Sequence, residues 1–244
     1  MAESLTLPLF EQILPEGLDY GAIVLIEFEP DSIWFETSLT IAAQALRKGQ
    51  KTEYHTFQHV PIDVRRGLTN LGANLGTLEN SGLFTLMDSY TVQMGGLVPI
   101  EQGRDPRTHT LKIADLSIAG AKDFHARPEL PAEEKRGLHI DDNTAILTRH
   151  NTETAVFDMF RNRVVYMIRN DEDIMLLSIL RGTVSDTFLS QFESISDGII
   201  DFKAEEKAGE IEQLVRVRIM RRKKFKSRWQ RLNLTDTGEV TLIE

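Results

Sequence analysis

An α/β fold is what this sequence predicts: a mostly parallel central sheet, helices on both faces, and antiparallel hairpins toward the C-terminus. Two observations predict it. From residue 22 to about residue 192, β-branched apolar runs of strand length alternate with segments of helical periodicity, the pattern that produces a parallel sheet wrapped by helices. Over about the last fifty residues the helical segments give out, and short strand-like runs follow one another, joined by turns.

The first strand is AIVLIEF, residues 22–28, and residues 32–48 behind it place Ile33, Ile41, Ala42 and Ala45 at helical spacing, with Gly49 as the cap. A second strand at 51–57 is followed by a helix that Pro61 opens and that runs to about residue 74, since proline's missing N–H is harmless in a first turn. A third strand spans 83–88. Residues 112–124 read as a helix, and the Pro-bearing stretch 126–136 (ARPELPAEEKR) as a surface connection or lid. A strand at 137–141, with an extension toward 147 left open, precedes a helix at 152–169. A strand at 174–180 then precedes a short amphipathic segment at 185–192. The closing strands are 197–203, 210–220, 230–234 and 239–243, joined by KAGE, a basic loop and TDTGE. No internal repeat or Gly/Ser linker divides the chain, so residues 1–244 read as one domain carrying a basic hairpin arm at 216–231.

Composition narrows the function classes. With 244 residues, 41% hydrophobic and 27% charged, 16 Gly and 8 Pro, the chain is neither collagen-like nor disordered. The absence of cysteine excludes a disulfide framework and a thiolate metal site. Six histidines, among them His55, His59, His139 and His150, follow no ligand spacing, so no metal is expected. No apolar run approaches the roughly 18 residues of a membrane span, and residues 1–10 lack the pattern of a signal peptide. The expectation is a soluble, cytoplasmic protein without membrane contact.

The net charge of −9 is unevenly spread. Residues 216–231 (RVRIMRRKKFKSRWQR) hold nine of the 28 Lys and Arg and no acid, which leaves 19 basic against 37 acidic residues, or −18, on the rest of the chain. An acidic body with one basic arm suggests a contact with an anion or with an acidic surface, although a solvated charged loop would look the same.

Four segments carry a resemblance. They are the leader LPEGLDYGAIVLIEFEP, the stretch LTNLGANLGTLENSGLFTLMDSYT, the strand LHIDDNTAIL, and the C-terminal ISDGIIDFKAEEKAGEIEQLVRVRIMRRKKFKSRWQRLNLTDTGEV. In that order they resemble the KaiC-like branch of the RecA superfamily, P-loop ATPases that act as hexamers or filaments. The resemblance covers nearly the whole chain, least of all about 94–136, and implies a RecA-like three-layer sandwich. It places Asp141, with Asp142 beside it, at the Walker B aspartate, and Asn143 and Thr144 near the Ser/Thr that follows it in the family. It also places the basic arm at a subunit interface, where the family's basic residues reach a neighbour's nucleotide.

The phosphate loop departs from that family. A P-loop needs GxxxxGK[ST], because backbone N–H groups close on phosphates only where glycines remove the side chains, and Lys and Ser/Thr meet phosphate and magnesium. Here the turn reads FEPDSIWFE. Only Glu29, Pro30 and the hydroxyl of Ser32 survive; Phe28, Asp31 and Ile33 stand at glycine positions, Trp34 at the lysine and Phe35 at the magnesium-binding hydroxyl. No Lys or Arg occurs from 22 to 46, whereas Glu27, Glu29, Asp31 and Glu36 surround the turn with carboxylates. Strand two then ends in Gln58 and His59 where the family has a glutamate that activates water; glutamine cannot accept a proton, although a histidine can. The resemblance combined with these losses implies a pseudo-ATPase with no catalytic residue and no cofactor. The alternative is a divergent ATPase that keeps ATP and magnesium.

For the remaining candidates several readings stay open. Trp34 and Phe35 either fill the vacated space or present an aromatic anchor to a partner. Asp88 ends a parallel strand, where ligands gather but where caps also use Asp; Asp115 and Asp123 read as solvated charges. In the arm, Arg221, Arg222, Lys223, Lys224, Lys226, Arg228 and Trp229 are the candidates for contact with another copy or with RecA/KaiC-like ATPases. With Phe225 and Trp229 between the charges, stacking on single-stranded nucleic acid is a weaker alternative.

Overall fold

The computed structural model describes residues 3–93 and 136–243. The leader folds into a small antiparallel ribbon, β1 (Ser4–Leu5) with β2 (Leu18–Asp19). The main sheet opens with β3 (Ile23–Phe28), followed by α1 (Trp34–Arg47), β4 (Thr52–Thr56), α2 (Pro61–Asn70), α3 (Leu75–Asn80), β5 (Phe84–Asp88) and α4 (Tyr90–Gln93). After the undescribed stretch come β6 (Leu138–Asp141), α5 (Glu153–Met159), a π-helical turn at Phe160–Val164, α6 (Val165–Asn170), β7 (Ile174–Leu180) and α7 (Asp186–Ile195). Four strands close the chain: β8 (Gly198–Lys207), β9 (Glu210–Met220), β10 (Gln230–Leu234) and β11 (Val240–Ile243).

The sheet runs β11-β10-β9-β8-β3-β7-β6-β4-β5, parallel from β8 to β5 and antiparallel from β8 through β9 and β10 to β11. β3 is buried at every position, because helices cover both of its faces, and it is apolar except for Glu27 near its end. Its residues divide between two cores by strand alternation. Val24 and Ile26 join Tyr54, Ile140 and the apolar side of α1 on one face. Ile23 and Leu25 join Met175, Phe160, Phe188 and Phe192 on the other.

Most predicted elements appear, with three boundaries corrected. The first helix ends where Gly49, at φ +74°, turns the chain, as expected of a left-handed cap. The second does not reach residue 74. It stops at Asn70, and Asn74 starts α3 by accepting the Thr77 N–H at 3.2 Å. The strand at 137 does not extend toward 147 either. It ends at Asp141, because the Asn143 side chain accepts the Ala145 N–H at 3.2 Å and opens a 3₁₀ helix, Thr144–Arg149. Finally, β8 continues to Lys207, beyond the expected 203, since β9 pairs with it along its whole length. The expected helix at 112–124, Asp115, Asp123 and the 126–136 connection up to Arg136 lie outside the described residues.

Candidate functional site

The C-terminal ends of parallel strands are where ligands bind in open α/β sheets. Here four such ends meet, those of β3, β4, β6 and β7. The turn after β3 is drawn closed from within. Glu29 N–H donates to the Phe202 carbonyl at 3.1 Å, while the Ser32 N–H and hydroxyl donate to the Glu29 carbonyl at 3.1 and 2.7 Å. Across the sheet, Gln213 of β9 accepts the Ile33 N–H at 3.0 Å and donates to the Asp31 carbonyl at 3.0 Å. Pro30 and Asp31 are exposed; Glu29, Ser32, Ile33, Phe35 and Glu36 are half-buried.

Trp34 turns inward at the start of α1. It is 1% exposed, lies 5.2 Å from Phe202 and 6.3 Å from Phe28 between ring centroids, and donates its indole N–H to the Asp142 carbonyl at 3.3 Å. Trp34 therefore fills the space beneath the turn. Phe35 instead stacks on His59, 3.8 Å between centroids at 14°.

Asp142 holds the end of β4. Its fully buried carboxylate accepts the N–H groups of Phe57 at 2.6 Å, Gln58 at 3.0 Å and His59 at 2.9 Å, and lies 3.0 Å from His59 Nδ1. The Gln58 carbonyl oxygen of the side chain accepts from the Asn143 amide at 2.8 Å. Asp141 points to the opposite face from Tyr54 and accepts from the Thr144 hydroxyl at 3.1 Å, with His55 Nδ1 3.2 Å away. Burial pushes the Asp141 carboxyl up to about 6, against the opposing charge of His55. Asp88, at the end of β5, caps α4 by accepting the Thr91 N–H at 2.8 Å.

The basic arm divides in two. Arg216 and Arg218 belong to the sheet: Arg216 Nε meets Asp201 at 2.7 Å, Arg218 pairs with the fully buried Glu27, and Arg181 Nη2 meets the same Glu27 at 2.6 Å. Burial raises Glu27 above the ordinary carboxylate range while both arginines pull against it. The loop after β9 folds back on the leader instead of standing clear of the sheet. Lys223, its side chain 6% exposed, meets Asp19 at 2.7 Å and donates to the Ser4 hydroxyl and the Glu16 carbonyl at 2.8 and 2.9 Å. Lys226 N–H bonds the Ile13 carbonyl, and Phe225 packs on the core. The Trp229 ring lies under Lys203 and Arg216, at 4.7 and 4.5 Å. Arg221, Arg222, Lys224, Lys226 and Arg228 remain on the surface.

Sequence reasoning missed Gln213 and the Glu27–Arg181 pair, whose partners are far along the chain and which no local spacing marks. Asn143 stands out in the sequence only by its place two residues after Asp141, not as the cap that ends β6.

The family model described as ATPase: KaiC matches residues 6–244. The chain belongs to the KaiC family of the RecA superfamily, and its P-loop fold is that family's. The crystal structure of a KaiC-like protein from the hyperthermophilic archaeon Pyrococcus horikoshii OT3 superposes with a TM-score of 0.66 at 16% identity, covering 100% of this chain and 99% of that one. A comparison with curated proteins finds no match. No helix among the described residues is long and apolar enough to cross a membrane.

Proposed function

We propose that this KaiC-family chain does not turn over nucleotide and acts as a regulatory or scaffolding subunit, assembling with copies of itself or with active RecA-like ATPases. The observation that carries the reading is the turn at 29–33. A phosphate loop needs backbone N–H groups aimed at the ligand and a lysine behind them. In this turn the Ile33 N–H is bonded to Gln213, and the lysine position is a tryptophan buried on Phe202. Magnesium–ATP does not fit these residues. Its charge-assisted bonds, about 1.5 to 3 kcal/mol each, lose their donors, and Glu29, Asp31 and Glu36 add like charge. The two acids left for magnesium are also engaged: Asp142 is saturated by backbone N–H groups, and Asp141 lies buried beside His55.

For assembly, the support is the basic surface of the arm set against an acidic body. Single-strand binding draws less support, because Trp229 already lies against Lys203 and Arg216. The test is thermal unfolding with and without saturating magnesium–ATP. A ligand at about 100 times its dissociation constant adds roughly 2.7 kcal/mol, several degrees for a chain of this length. No shift is expected, and a magnesium-dependent shift overturns the reading.

One observation favours a second reading, a divergent ATPase. His59, 26% exposed on its side chain, has Nδ1 against the Asp142 carboxylate, the arrangement that orients an imidazole as a general base through Nε2. Turnover that disappears in His59→Ala, following a positive shift with nucleotide, would establish it.

A further inference from the structure

β4 and β6 are adjacent parallel strands, in a register that sets Glu53 beside His139 and His55 beside Asp141. Because strand side chains alternate, all four lie on the same face of the sheet. The contacts converge. His55 Nε2 lies 2.6 Å from Glu53 Oε1, and His139 Nδ1 lies 3.3 Å from that same oxygen. The far nitrogen of each ring faces a second carboxylate: His55 Nδ1 is 3.2 Å from Asp141, and His139 Nε2 is 2.9 Å from Asp173. Asp173 is itself fixed by the Gly137 N–H at 2.5 Å.

A neutral imidazole has one N–H and one lone pair. When the outer carboxylates, Asp141 and Asp173, take the N–H of each ring, both lone pairs point at Glu53 Oε1, where three electron-rich atoms then crowd together. Two extra protons would relieve this, at the cost of two buried imidazolium ions. A single dication relieves it with both rings neutral. The convergence on one oxygen favours the dication, because two independent ion pairs have no need to share an acceptor atom.

We propose that Glu53, His55 and His139 bind one divalent transition metal ion of the zinc type, with Asp141 and Asp173 orienting the histidines from behind. The donor atoms all lie within 4.8 Å of one another. Tetrahedral zinc at its usual bond lengths separates its donors by about 3.3 Å, so small side-chain movements complete the site. Two imidazoles and a carboxylate suit zinc, cobalt or nickel rather than magnesium or calcium, which prefer oxygen. The carboxylate behind each histidine is the outer support that metal-bound histidines ordinarily have. A cavity of about 10 Å³ beside the two histidines is lined by His55, His139 and Asp173, with room for about one water. The sequence hides this site because its ligands alternate along two strands that lie more than eighty residues apart and meet only in the sheet.

The test uses the full chain, stripped with chelator and titrated with Co²⁺, then Zn²⁺, without nucleotide, so its result is independent of the ATPase question. One equivalent of Co²⁺ per chain is expected, with the visible absorption of a four-coordinate N/O site, displaced by Zn²⁺ and not by Mg²⁺. Calorimetry in buffers of different ionisation enthalpy should register proton release on binding. His139→Gln and Glu53→Gln should each weaken binding by more than about 100-fold, and Asp173→Asn by about 10- to 100-fold, in variants whose circular dichroism remains that of the parent. Failure of the folded parent chain to take up stoichiometric metal, or uptake unaffected by both ligand substitutions, overturns the proposal.

Discussion

The side-chain oxygen of Gln213 lies 3.0 Å from the backbone nitrogen of Ile33, and through this contact a strand of the antiparallel half of the sheet holds the turn that follows β3. Because the same amide donates to the Asp31 carbonyl, removing it strips partners from two backbone groups at once. Gln213→Leu should therefore cost about 1 to 3 kcal/mol, read as a lower urea midpoint at unchanged slope. It should not create nucleotide affinity, since neither glycines nor a lysine come with it.

Trp34 makes a sharper case. A lysine here would match the P-loop pattern that the resemblance implies, but the side chain at this position points into the core against Phe28 and Phe202. Trp34→Lys should lower stability by at least the roughly 3 to 5 kcal/mol typical of losing a buried aromatic ring, and should bind no nucleotide. Trp34→Phe should be milder, its loss being the bond to the Asp142 carbonyl and part of the ring volume. Tryptophan fluorescence in a Trp229→Phe background checks the burial directly: the remaining emission should be blue-shifted and shift red on unfolding.

How much of this was legible depends on whether a signal is local. The β3 run, the Gly49 cap and the Pro61 helix start are written in neighbouring residues, and they appear where expected. The stop of β6 at Asp141 was harder, because Thr144 to Leu147 are all buried and mimic strand; only the Asn143 cap ends it. Trp34 stands out in the sequence as an aromatic residue at the start of a helix, but its inward rotation depends on Phe202 of β8, far along the chain. The meeting of the histidines was the least legible feature. His55 and His139 follow no metal-binding spacing, yet the register of β4 with β6 brings them to one carboxylate.

Tyr54 gives a pH prediction with a definite sign. Its hydroxyl is buried 2.6 Å from the Ser38 hydroxyl, and burial, aided by the Asp142 charge, holds its pKa well above the usual tyrosine value. In the unfolded chain Tyr54 ionises near pH 10, while the folded chain keeps the proton. The folded state then binds more protons, so this contribution is intact below about pH 10 and declines as pH rises toward the folded value, by about 1.4 kcal/mol per unit. Tyr54→Phe should lose about 1 kcal/mol at neutral pH, for the Ser38 bond, and show a shallower alkaline decline than the parent. Parallel slopes for the two proteins would mean that Tyr54 ionises in the folded state.

The arm separates into residues that build the fold and residues that face outward, and the two groups should respond differently. Lys223 is held by Asp19, Ser4 and Glu16, so Lys223→Ala removes the cation paired with a half-buried acid and the donor to a backbone carbonyl, leaving Asp19 only the Ser4 hydroxyl. It should cost about 1 to 3 kcal/mol of stability. Arg222 and Lys224 lie on the surface of the same loop, and reversing both to Glu should leave the unfolding midpoint within about 0.5 kcal/mol of the parent's. If the arm docks on the acidic body of another subunit, the double reversal should lower the mass seen by light scattering, and added salt should weaken assembly of the parent in the same way. Assembly that ignores both the reversal and salt would place the subunit contact elsewhere. Salt-sensitive binding of single strands, abolished by the same reversal while assembly persists, would assign the arm to nucleic acid instead.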